Sequence, residues 1–142
     1  MKYLILLVLF LSFSIANDFR RSGKDAVVDT KNKLMWIDNI SVVKTLRTHE
    51  EATFYCENLS FLGFTNWRIP KIEEFEFIVD KKNEKNYINK TFRFNVPDGY
   101  WAQKAHWRTL WFYADYMHFV SGTPYYDSRH KNKYVRCVRD IR

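Results

Sequence analysis

Two cysteines, four histidines and a cationic run near the C-terminus are the groups in this 142-residue chain with chemistry to offer. Cys56 and Cys137 are the only thiols. A thiolate can attack, ligate a metal or pair as a disulfide, and its neighbours decide which. There is no CxxC, and neither cysteine has a His or an acid at ligand spacing, so a reactive or metal-binding pair lacks support. In an oxidising compartment an even count closes as disulfides. A bridge between these two would enclose about 80 residues and stabilise by roughly 3–5 kcal/mol in the chain-entropy account.

The histidines offer less. His49 falls inside a helix-start signal, while His106, His118 and His130 lie in a β-rich half. His118 near Asp115 could form an acid/base pair, but a surface histidine on a strand is the simpler reading. There is no HExxH, no GxSxG and no phosphate-cradling glycine loop. No catalytic residue, cofactor or metal site is therefore assigned.

Charge and aromatic residues are more informative. Thr48 to Asp80 carries seven acids and two bases. Ser128 to Arg142 carries six bases (Arg129, Lys131, Lys133, Arg136, Arg139, Arg142) and one acid. Lys104, Arg108 and His130 extend a possible basic face. Trp107, Tyr125 and Tyr126 would suit stacking on sugar rings beside Arg129, Lys131, Lys133, Arg136 and Arg139. Strand alternation sets Arg136 opposite Cys137 and Arg139, so these cations do not all share one face. A solvated edge whose Lys and Arg discourage strand pairing is the competing reading.

The elements that would position these groups follow from composition and pattern. At 46% hydrophobic and 18% aromatic, with 4 Gly and 3 Pro, the chain fits one packed domain and neither a collagenous nor a disordered class. Met1 to Ala16 has Lys2, an apolar run over 3–13 and small residues at Ser14 and Ala16, the pattern of a cleaved signal peptide. The run is shorter than the ~20 residues that span a bilayer. The mature domain would be 17–142, with its core over about 26–140 and no membrane span. Export points to a periplasmic, secreted or surface protein. The formal charge of +7 favours anionic partners.

Residues 18–24 read as a loose polar lead-in. Residues 26–30 and 34–38 read as a hairpin across a turn at 31–33, and 41–47 as loop or edge strand. Thr48-His49-Glu50-Glu51 predicts a capping box, followed by an apolar stripe at Ala52, Tyr55, Cys56 and Leu59. Gly63 is the expected helix stop. Pro70 opens a second helix over about 71–80, with Ile72, Phe75, Ile78 and Val79 inward. A long connection over 81–98 leads to strands at 100–103, 108–115, 117–120 and 133–139. Strands at both ends around two helices make the fold class α+β.

Several segments together resemble the Lcl C-terminal domain family of bacterial exported proteins. They are Asp29-Thr30-Lys31-Asn32-Lys33-Leu34-Met35-Trp36, Ala52-Thr53-Phe54-Tyr55-Cys56-Glu57-Asn58-Leu59 and Asn66-Trp67-Arg68-Ile69-Pro70. Ile78-Val79-Asp80, Tyr100-Trp101 and Tyr134-Val135-Arg136-Cys137-Val138-Arg139 complete the ordered set. The resemblance implies a C-type-lectin-like single domain, related to the formylglycine-generating enzymes. Two helices pack on antiparallel sheets, and a cysteine in the first helix bridges one in the last core strand. Cys56 and Cys137 occupy those places. Trp36, Trp67 and Trp101 match recurrent family aromatics and read as core.

Calcium needs six to eight oxygens, and Val96-Pro97-Asp98 puts an apolar residue where a lectin-type ligand belongs, with no Trp-Asn-Asp present. The copper-ligating cysteines of the formylglycine branch have no counterpart once both thiols are bridged. The expectation is an exported, non-enzymatic binding module for anionic or sulfated glycans at the bacterial envelope, because collagen-like members are associated with sulfated polysaccharides. The alternatives are an envelope protein-interaction or assembly domain, as a monomer or a homo-oligomer, and a divergent metal-dependent enzyme. Export argues against nucleic acid.

Overall fold

The computed structural model describes residues 18–142; the signal segment expected at 1–16 lies outside them. It is α+β, with two sheets, few helices and one disulfide. The first sheet has the order β1-β2-β3-β9, from Phe19–Ser22, Ala26–Asp29, Leu34–Ile37 and Val138–Asp140, all antiparallel. The expected hairpin is there. Buried Asp29 closes its turn by accepting from the Asn32 backbone N–H at 3.0 Å and Asn32 Nδ2 at 2.8 Å. Residues 18–24, read as a loose lead-in, instead supply strand β1, paired along its length with β2. Charged side chains at Arg20 and Arg21 hide an edge strand from a hydrophobicity pattern.

After β3 the chain runs through α1 (Ser41–Lys44), β4 (Leu46–Arg47), α2 (His49–Glu57) and α3 (Ile72–Ile78). The α2 capping box forms as its sequence predicts: Thr48 Oγ1 accepts from the Glu51 amide, and Glu51 Oε2 accepts from the Thr48 amide at 3.0 Å. Ala52 and Cys56 are buried on one side. Gly63 is not the helix stop. Asn58 ends α2 by donating its amide nitrogen to Phe54 O, whereas Leu62 and Gly63, at φ 55° and 78°, turn a small hairpin between Phe61 and Phe64. In α3, Glu74 caps the Lys71 amide at 2.8 Å and takes Arg68 through both carboxylate oxygens, at 2.6 and 2.7 Å.

The second sheet has the order β4-β8-β5-β6-β7. It adds β5 (Gly99–Ala105), β6 (Tyr113–His118), β7 (Thr123–Ser128) and β8 (Lys133–Tyr134). Three expectations change here. Residues 108–115 are not one strand: a 3-10 turn at Trp107–Thr109 is followed by Leu110 and Trp111 at φ 51° and 63°. Left-handed backbone costs a non-glycine residue roughly 1–2 kcal/mol. Strand β7, unanticipated because of Pro124, pairs with β6 throughout and is the sheet edge, where a missing N–H is tolerated. The last strand, expected over 133–139, is two. Tyr134 pairs in the second sheet and Val138 in the first, so Val135, Arg136 and Cys137 cross between the sheets.

The core fills that crossing. Trp36, Phe75, Phe119, Tyr100 and Trp101 are fully buried, with Trp67 nearly so, as expected for core tryptophans. Deleting such a ring costs about 3–5 kcal/mol. The Cys56–Cys137 disulfide, with Cα atoms 5.6 Å apart, ties α2 to the crossing segment.

Candidate binding surface

One row of aromatics crosses three strands of the second sheet. The registers Trp101↔Tyr116 and Tyr116↔Tyr125 set these rings side by side on one face of the sheet. Tyr116 and Tyr125 stack with centroids 6.0 Å apart, and Trp101 meets Tyr116 edge-on at 6.3 Å. The inner end of the row is closed, because Trp101 is fully buried and the His49 ring at the start of α2 lies 5.2 Å from it. The outer end is open, with Tyr125 49% exposed. Gly99 permits this packing: a Cβ there would come within 2.8 Å of the Tyr116 ring.

Lys133 completes the row. Its Nζ sits 3.9 Å from the Tyr116 centroid and 5.4 Å from Trp101, a cation–π contact on two rings. Asp127 opposite accepts from Lys133 at 3.0 Å and pairs with Lys131 at 3.2 Å. Burial alone would raise the Asp127 pKa, but the hydrogen bonds from Lys133, the Ser128 amide and Lys131 hold it below the usual value. Burial and then the Asp127 charge push the Tyr116 hydroxyl up, so it stays a neutral donor. Two lysines sharing one carboxylate leave one net positive charge.

Arg129 has a different task. It clamps three segments through its side chain and backbone: Nε donates to His49 Nδ1 at 3.2 Å, Nη1 to Trp111 O at 3.2 Å, and its amide to Phe112 O at 2.9 Å. Its carbonyl accepts from the His49 amide at 3.1 Å. His49 Nε2 lies 2.8 Å from Ala102 O. Those two partners fix the tautomer, with the proton on Nε2 and Nδ1 accepting. Burial first, and then Arg129, depress the His49 pKa, although the Ala102 carbonyl works the other way.

Of the cations and rings expected to form one binding face, the structure keeps some and removes others. Lys131 and Lys133 stand on it, as does Tyr125. Tyr126 is 66% exposed, but successive strand residues face opposite sides, so it lies over His106 and Tyr113 instead. Trp107 is exposed on the β5–β6 loop. Arg136 and Arg139 must be struck from the face. Arg136 has no exposed surface: it pairs with buried Asp38 at 3.1 Å and donates to Ile37 O at 2.7 Å and to Phe94 O. Arg139 donates to Asn66 Oδ1 at 2.8 Å and lies 3.5 Å over the Phe64 ring. The crossing between sheets puts Arg136 inside, and the Phe64 ring covers Arg139 on β9.

The acid/base pair of His118 with Asp115, the lesser of the two readings, does not form. Asp115 and His118, three apart on a strand, face opposite ways, and His106 Nε2 takes Asp115 Oδ1 at 2.5 Å. Pattern reading missed Tyr116, Asp127 and the loop residues Leu110, Trp111 and Phe112. Tyr116 and Tyr125 alternate with Tyr113 and Tyr126 in a way a strand-by-strand count of exposed rings could have flagged. Among the described residues no group of three His, Cys, Asp or Glu is arranged to hold a metal ion. Among the same residues no helix is long and apolar enough to cross a membrane. A further concavity of about 620 Å³ lies on the outer side of α2, between Arg47, Glu50, Phe54 and Tyr55.

A family model described as the Lcl C-terminal domain matches residues 25–139. No curated protein and no solved structure matches the chain.

Proposed function

The chain belongs to the Lcl C-terminal domain family, and from that premise we propose that it is an exported, non-enzymatic binding module that takes anionic or sulfated glycan at the Tyr116–Tyr125 row. The C-type-lectin-like character of the fold, and a place in the periplasm or at the cell surface, are part of the same proposal. One observation carries it: two stacked tyrosines, open at the Tyr125 end, run beside a lysine pair that exceeds its carboxylate by one charge. A pyranose presents a C–H face to an aromatic ring and hydroxyls at its rim. Tyr125 supplies the ring, Asp127 accepts from hydroxyls, and Lys131, 65% exposed at its side chain, meets a sulfate or carboxylate.

The test is binding of the oxidised protein to sulfated and unsulfated polysaccharide across a salt series. Binding should depend on sulfate and weaken with salt. Tyr125→Ala should lower affinity about tenfold, equal to about 1.4 kcal/mol, and Lys131→Ala should flatten the salt dependence. No binding at low salt, or an unaffected Tyr125→Ala variant, would sink the assignment.

The second reading is an envelope protein-interaction domain, whether with other proteins or with further copies of itself. Its support is the concavity beside α2, where Phe54 is 67% exposed next to Glu50 and Glu51. Phe54→Asp should then abolish recovery of a crosslinked envelope protein while leaving glycan binding intact.

A further inference from the structure

The β5–β6 loop concentrates apolar surface where neither the core nor the aromatic row uses it. Within six residues Leu110 is 89% exposed, Trp107 63%, Trp111 56% and Phe112 47%. Leu110 and Trp111 hold left-handed backbone, a conformation in which Gly, Asn or Asp would be less strained. Nothing in the packing of the loop needs a leucine at its most exposed position.

The loop is fastened to a basic turn. Arg129 donates from its backbone to Phe112 O and from its guanidinium to Trp111 O, and the Phe112 ring meets His130 at 5.3 Å. The turn 129–133 carries Arg129, Lys131 and Lys133, and Asp127 beside it offsets one of those charges. An apolar tip with cations at its shoulders matches a phase that is anionic outside and apolar beneath. Tryptophan suits the headgroup boundary, leucine and phenylalanine the acyl region just below it, and Lys and Arg the phosphates. A second copy of the chain fits less well, because an isologous contact would bring two basic turns together. A polysaccharide has no apolar layer for an aliphatic side chain to enter.

We propose that the loop Trp107–Phe112, with the basic turn beside it, docks the protein on an anionic lipid bilayer surface. The basic turn shares Lys131 and Lys133 with the glycan row, but Leu110 belongs to the loop alone and Tyr125 to the row alone, so variants at those two residues separate the two proposals. Docking inserts Leu110 and the exposed rings of Trp107, Trp111 and Phe112 shallowly and spans nothing.

Native tryptophan reports the contact. Trp36, Trp67 and Trp101 are buried in the core, so quenching by vesicles with brominated acyl chains reads Trp107 and Trp111. The protein recovered from expressing cells is mixed with such vesicles, made either of phosphatidylcholine alone or with phosphatidylglycerol. Phosphatidylglycerol vesicles should quench and blue-shift the emission, more weakly at high salt, and phosphatidylcholine vesicles should do little. Leu110→Asp should weaken partitioning about tenfold while leaving glycan binding unchanged. Tyr125→Ala should do the reverse. Leu110→Gly, which relaxes the same backbone, removes the side chain without adding charge and should agree with Leu110→Asp. Unquenched emission with phosphatidylglycerol vesicles would overturn the proposal. So would equal quenching by phosphatidylcholine, an unaffected Leu110→Asp variant, or protection of these tryptophans by sulfated polysaccharide or self-association instead of lipid.

Discussion

The cations of the last fifteen residues divide between two regions with opposite fates. At the crossing between the sheets, Arg136 is sealed against Asp38, which also accepts from Arg21 and from the Arg93 and Phe94 amides at 2.8 and 3.1 Å. A few residues earlier, Lys131 pairs with Asp127 at the surface, while Lys133 holds the same carboxylate from the side of the Trp101 and Tyr116 rings. The pairs look alike on paper, yet their energetics differ. A buried charge that loses its partner keeps its desolvation cost, whereas an exposed one is taken up by water. A buried pair therefore holds the fold together, and an exposed pair leaves its charge available to a ligand.

Breaking the two regions in parallel should separate them. Asp38→Ala should have the largest effect, about 3–5 kcal/mol of unfolding free energy, read from urea denaturation. Arg136→Met should cost less, because Asp38 keeps Arg21 and two backbone amides. A reversed ranking would mean that Arg136, not Asp38, is the hub. Gly99→Ala acts at the other region: its Cβ must push the Tyr116 ring aside. Glycan affinity should fall several-fold, and stability should fall by about 1–3 kcal/mol from overpacking. Intact affinity would show that the Tyr116–Lys133 contact is dispensable.

The His49 clamp ties the surface to the fold through pH. His49 has its pKa below 6.5 in the folded protein, so the unfolded chain binds its proton first. Its contribution is complete above pH 6.5 and is lost as pH falls from 6.5 toward the depressed value. Asp127 and Asp140, also depressed, act below about 3.8 and in a separate window. The urea midpoint should therefore decline from pH 7.5 to 5, and His49→Gln should flatten that decline. A flat wild-type profile would remove His49 from the account. Smallest of all, Lys131→Ala should change stability by no more than about 1 kcal/mol while altering the salt dependence of binding. A large loss of stability would make the surface pair structural and erase the contrast.

Legibility followed distance along the chain. The β2–β3 hairpin, the capping box at Thr48–Glu51 and the helix after Pro70 are local events, set by neighbours three or four residues away, and they stand close to where they were expected. Strand β1 was missed because an edge strand with Arg20 and Arg21 side by side has no alternating apolar signature. Strand β7 was missed because Pro124 punctuates everywhere except at an edge. The run Lys133–Arg139 reads as one strand by composition, but its halves pair with partners from different sheets, and nothing local marks the crossing. In the binding surface the ring types were visible and their faces were not. Tyr125 and Tyr126 are adjacent in sequence and end on opposite sides of the sheet.

Sequence alone determined the family, the α+β class, the pairing expected of Cys56 with Cys137, and an excess of positive charge near the C-terminus. Each is carried by residue identity or short-range order. Tertiary structure decided which of those charges remain charges to the outside world. It buried Arg136 on Asp38, laid Arg139 over Phe64, spent Arg129 on His49 and Trp111, and left Lys131 in water. Desolvation depends on what the rest of the chain places around a group, and long-range strand pairing settles that placement.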